Sequence, residues 1–169
     1  MATQNETAGP AGPEARPLVA FYSLAGTTRR LAEALADALD GDRLEIVETR
    51  PRRVTPWGML RCLLDGVRGR SSPVEPPGAD LAGRLVVVGG PVWAGGASGP
   101  VLGFLAQNRD RLGPVAGFCT SGSGDPKRTF ERMEAALGRP LAGRLSIKGD
   151  RVGTAEAAAE VRAFAETVS

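Results

Sequence analysis

Residues 85–88 read Leu-Val-Val-Val, an apolar and mostly β-branched run with no polar residue at every second position. A strand with one face in water alternates apolar and polar residues, whereas one that does not alternate is covered on both faces. The run therefore predicts a central strand of a parallel sheet with helices packed above and below it. Pro17-Leu-Val-Ala-Phe-Tyr22 is a second buried run of this kind, and Val115 to Cys119 supplies another strand.

The rest of the chain falls into alternation around these runs. Arg43 to Glu48 and Leu145 to Lys148 read as short strands. After Thr28, the residues Leu31, Ala34, Leu35, Ala38 and Leu39 form one apolar helical stripe, which Gly41-Asp42 ends. Further helices are predicted over about Pro100–Asn108, from Pro126 to about Leu137, and over Thr154–Val168. Within 49–80, Thr55 as N-cap and Pro56 at the first helical position start another helix, with Met59, Leu60, Leu63, Leu64 and Val67 as its apolar face. Strands alternating with helices imply an α/β three-layer sandwich with right-handed crossovers. Residues 1–16 hold almost nothing that anchors them and are expected to be a flexible tail before a single domain, 17–169.

Composition matters where it is uneven. The chain has 23 Gly among 169 residues, about double the usual share of ~7%. Six of these glycines lie in three loops that follow strand ends: Ser-Leu-Ala-Gly-Thr-Thr (23–28), Gly-Pro-Val-Trp-Ala-Gly-Gly (90–96) and Thr-Ser-Gly-Ser-Gly-Asp (120–125). Ligands of such sheets bind outside the C-terminal strand ends. There is no His, which excludes Ser–His–Asp and Cys–His catalysis and any His-based metal site. Cys62 and Cys119 are 57 positions apart and form no Cys-x-x-Cys pair, so no metal site is expected and both are read as reduced thiols. No apolar run approaches the ~20 residues of a membrane span, and the start has no signal-peptide pattern, so the expectation is a cytoplasmic protein. The net charge of +2 is unevenly placed, because 49–80 carries six Arg against Asp65, Glu75 and Asp80. That excess is too small for a dedicated nucleic-acid binder, and no nucleic-acid partner is expected.

Each loop has a chemical reading beside a bland one. Ser23, Leu24, Ala25, Gly26, Thr27 and Thr28 join a buried strand to a helix N-terminus, where free N–H groups and the helix dipole attract an anion. Gly26 permits close approach, the hydroxyls of Ser23, Thr27 and Thr28 can donate, and Arg29 and Arg30 add positive charge. The pattern is neither a Walker loop nor a dinucleotide fingerprint and suits a terminal monophosphate; the bland reading is a helix cap. Trp93 is placed either to stack on a planar ring or to pack over the adjacent helix. Thr120, Ser121, Gly122 and Ser123 offer small polar groups to a ring edge, or simply lead into the next helix.

From about Pro17 onward the chain resembles the flavodoxin-like family. Ser23, Gly26 and Thr28 match its S/T-x-S/T-G-x-T phosphate loop, from which Ala25 departs with the loss of a hydroxyl. Gly89 to Gly95 matches its G-x-P-x-W/Y-x-G stretch. The resemblance implies a five-stranded parallel sheet of order 2-1-3-4-5 and the cofactor FMN. It places the phosphate on residues 23–28 and the isoalloxazine between 91–96 and 119–125. Pro91, Val92, Trp93, Ala94, Gly95 and Gly96 then join the cofactor-binding set, with Gly95 and Gly96 at the flavin N5 edge. No residue is singled out as catalytic. Two roles follow: an NAD(P)H-dependent reductase of a quinone-like small molecule, or a one-electron carrier between proteins. A ligand-binding module without redox function is the reading from another class, supported by Ala25 and by the lack of an aromatic residue in the third loop.

Overall fold

Each buried run becomes a strand of one parallel sheet. The computed structural model describes residues 15–50, 55, 57, 58, 60, 64, 67–122 and 126–169. Along the chain come β1 (Leu18–Phe21), α1 (Thr27–Ala38), β2 (Asp42–Glu45), β3 (Val86–Trp93), β4 (Gly96–Ala97), α2 (Gly99–Asn108), β5 (Val115–Ser121), α3 (Lys127–Leu137), β6 (Arg144–Lys148), a single 3-10 turn (Gly149–Arg151) and α4 (Ala155–Val168). The sheet order is β2-β1-β3-β5-β6 with every one of these neighbours parallel. Counting only the parallel strands, this is the expected order 2-1-3-4-5.

The absence of alternation in the runs has the expected cause. Val19, Phe21, Val87 and Phe118 point to one side and pack with Leu31 and Leu35 of α1 and Val161 and Phe164 of α4. Leu18, Ala20, Val86 and Val88 point to the other side, onto Phe104 and Leu105 of α2 and Phe130 and Met133 of α3. Three layers result, with the central strands β1, β3 and β5 buried between them and the edge strand β2 largely exposed.

One element was not expected. The stretch after Gly90 is not a plain loop, because β3 continues to Trp93 and folds back into β4, with Trp93 paired to Gly96 and Val92 to Ala97. The two residues between carry positive φ, 47° at Ala94 and 75° at Gly95. That pair of conformations belongs to a two-residue type I′ hairpin. Sequence reading missed it because the usual Asn-Gly or Gly-Gly signal is replaced by Ala-Gly.

The 49–80 segment leaves the end of β2 and returns through an isolated bridge between Glu48 and Val74. Described residues 57, 58, 60, 64, 67 and 68 are helical, and Thr55 Oγ1 accepts a hydrogen bond from Gly58 N–H (3.2 Å), as an N-cap should. Leu60, Leu64 and Val67, expected on a packed face, are exposed. Pro56, Met59, Cys62 and Leu63 lie outside the described residues, as do residues 1–14 of the N-terminal segment. Arg16 bonds the Asp40 carboxylate at 2.7 Å.

Candidate functional site

The parallel strands all end on one side of the sheet, and a cleft of about 380 Å³ opens there. The first loop lines it with Ser23, Leu24, Ala25, Thr27 and Thr28. Pro91, Val92 and Trp93 come from the end of β3, and Thr120, Ser121 and Gly122 from the end of β5. A volume of this size lies within the ~300–1,000 Å³ of small-molecule sites. Gly149, just after β6, also lines the cleft beside Thr27 and Ser121. Sequence reading overlooked it because its loop carries no hydroxyl or glycine cluster and only the tertiary fold brings it near.

The first loop is organised around one hydroxyl. Ser23 Oγ accepts from the backbone N–H of Gly26 (3.1 Å) and of Arg29 (3.2 Å), so its own proton is available to donate outward. Gly26 precedes α1 at φ 89°, a left-handed conformation that turns the chain into the helix. The backbone N–H groups of Leu24, Ala25, Thr27 and Thr28 have no protein acceptor among the described residues. Four such donors lie at or just before the positive end of a twelve-residue helix. The Thr28 and Thr120 hydroxyls are buried and 2.7 Å apart, tying the first loop to the third.

The arginines do not serve as the sequence suggested. Arg29 pairs with Glu45 at 2.6 Å and lies over the Phe21 ring, while Arg30 borders the groove between α1 and α4. Neither lines the cleft. Among the described residues no titratable side chain belongs to the lining, so positive potential there comes from backbone N–H groups and the helix dipole.

Trp93 unites its two readings. It is 8% exposed, belongs to the core, and meets Tyr22 edge-to-face at 5.7 Å between ring centroids, yet it also forms one wall of the cleft. Beyond it, Ala94 and Gly95 form the hairpin turn and Gly96 begins β4; none of the three lines the cleft, and neither does Gly26. Ser123 lies outside the described residues. Cys119 is a buried free thiol bonded to Ser146 Oγ, and burial pushes its pKa up, which keeps it protonated and inert.

No protein-family model matches the chain, and no curated protein is similar to it in sequence. Solved structures are similar to it in fold. A flavoprotein from Lactobacillus acidophilus, determined in complex with FMN, superposes with a TM-score of 0.68 at 22% identity, over 78% of this chain and 93% of that one. A candidate flavoprotein from Bacteroides uniformis gives 0.73 at 19% identity, over 91% and 99%. Rubredoxin oxygen:oxidoreductase from Desulfovibrio gigas gives 0.56 at 18% identity, with 90% of this chain covering 35% of that larger protein. These likenesses establish the flavodoxin-like fold.

Proposed function

We propose that the cleft holds FMN non-covalently and that the protein is a flavodoxin-like redox protein. The observation that carries this reading is the first loop, where four N–H groups with no protein acceptor among the described residues lie at the N-terminus of α1. Such a cradle fits a phosphate, and among the described residues no carboxylate in the cleft lining opposes one. The FMN found in the Lactobacillus acidophilus structure supports the choice of ligand.

In this reading the phosphate takes the N–H groups of Leu24, Ala25, Thr27 and Thr28 and the hydroxyls of Ser23 and Thr27. Pro91, Val92, Trp93, Thr120, Ser121 and Gly122 border the ring system, with Trp93 as an apolar wall. When bound, FMN supplies electron transfer, singly or as a hydride. The chain's own part is to bind, orient and partly cover the ring, and the described residues of its site offer backbone and hydroxyl groups in place of a titratable acid or base. We assign the role of an NAD(P)H-dependent reductase of a quinone-like small molecule, because electron-carrier flavodoxins are typically strongly acidic and this chain has a net charge of +2.

The visible spectrum of freshly purified protein tests the cofactor. Flavin bands, with FMN released on denaturation, are expected. Colourless protein that takes up no added FMN would overturn the reading in favour of a non-redox ligand module. Steady-state NAD(P)H oxidation with a quinone acceptor then tests the role: turnover above that of free FMN is expected, and its absence leaves a one-electron carrier.

A further inference from the structure

The segment between β2 and β3 presents apolar side chains outward. Trp57 is 80% exposed, Leu60 43%, Leu64 42% and Val67 55%. Their spacing of three, four and three residues puts them on one side of a helix. Soluble helices turn such a stripe inward, so an outward one marks a contact surface.

Charge indicates what the contact is. Residues 49–72 contain six Arg and one acidic residue, Asp65, a net of +5 in a chain whose total is +2. Arg50, Arg68 and Arg70 are exposed. A segment with outward Trp and Leu and this excess of arginine has the composition of an interfacial helix on an anionic bilayer. Among the described residues no helix is long and apolar enough to cross a membrane, so the contact is at a surface.

The segment is rooted firmly, on the side of the sheet where the cleft opens. Ser72 N–H bonds the Gly99 carbonyl at 2.9 Å and Arg132 bonds the Val67 carbonyl at 3.0 Å. A side chain at Gly103 would run into the Ser72 carbonyl, so α2 and the segment are in close contact. A membrane-bound segment would therefore hold the rest of the domain in a fixed orientation.

We propose that this face docks the protein on an anionic lipid surface. The inference is independent of the reading of the cleft. A second copy of the chain fits less well, since a two-fold interface would bring the same +5 segment against itself. Four side chains also fall short of the roughly 800 Å² per partner of a stable protein interface.

Sedimentation with vesicles of pure phosphatidylglycerol and of pure phosphatidylcholine tests this on the full chain. At least tenfold more protein should partition onto phosphatidylglycerol. Trp57 emission should shift to the blue there, against a constant background from the buried Trp93, and Trp57→Phe should remove the shift. The double variant Leu60→Ser with Leu64→Ser, with unchanged circular dichroism, should lose at least tenfold in binding. Equal partitioning on both lipids, or no binding, would overturn the proposal. So would phosphatidylglycerol binding that ignores the Leu substitutions, or self-association that the double variant abolishes. Binding to soluble polyglutamate as tight as to the vesicles would make the partner an acidic polypeptide and would overturn it as well.

Discussion

Gly26 sits at φ 89° with open space where a Cβ would be, so conformation rather than crowding within the protein explains its glycine. A β-branched residue resists the left-handed region more than the ~1–2 kcal/mol typical of L-residues. Gly26→Val should therefore swing the first loop out of its cradle, weakening FMN binding at least tenfold in a fluorescence titration while circular dichroism stays native. Affinity equal to wild type would contradict the loop's assignment. Thr28 acts differently, because its hydroxyl faces Thr120 rather than open solvent. Thr28→Val keeps the shape but leaves Thr120 with an unmet buried hydrogen bond, at a cost of about 1–3 kcal/mol. The urea midpoint of the ligand-free protein should fall accordingly, an effect that a purely ligand-facing hydroxyl would not produce.

At the scale of elements, the β3–β4 hairpin holds a residue in a conformation it does not favour. Ala94 lies at φ 47° in a turn whose two central positions both require positive φ. Asn tolerates that region better, so Ala94→Asn should stabilise the protein by about 0.5–1 kcal/mol, read from urea unfolding. The α3–β6 contact carries a pH signature. Glu134 accepts from Leu141 N–H at 3.0 Å and from Arg144 at 2.6 Å, and these bonds hold its pKa below the ordinary carboxyl value. A carboxyl depressed on folding contributes stability above the unfolded pKa, about 4.3 for Glu, and loses it as pH falls through the folded value. Glu134→Gln should flatten the acid side of the stability profile and leave its slope near neutrality unchanged. Buried runs such as Leu85–Val88 made the parallel strands and their helices legible, because absence of alternation has one structural meaning. The hairpin was not legible, since Ala94 disguises the turn. The fate of Arg29 was equally hidden, because Glu45 is its neighbour only across the β1–β2 crossover.

For the whole molecule, the relevant fact is that loops far apart in sequence become one site only through the sheet. Register places the ends of β1, β3 and β5 side by side, so a ligand across them bridges residues 23–28, 91–93 and 120–122 and stabilises the fold as a unit. Linkage sets the size of the effect. FMN at about one hundred times its Kd should add about 2.7 kcal/mol. For a domain of this size each kcal/mol is worth roughly 2–4 °C, so the melting temperature should rise by about 5–10 °C. Riboflavin has the same ring and lacks the phosphate. Losing two or more charge-assisted hydrogen bonds at about 1.5–3 kcal/mol each weakens binding by at least about a hundredfold. At the same concentration riboflavin would sit near its own Kd and shift the melt by only about 1 °C. Thermal melts of ligand-free protein with each flavin check this, and Gly26→Val should bring the FMN shift down toward that of riboflavin. Equal shifts from the two flavins in the wild-type protein would mean that the cradle at the start of α1 holds no phosphate, and that the ring alone determines what this cleft binds.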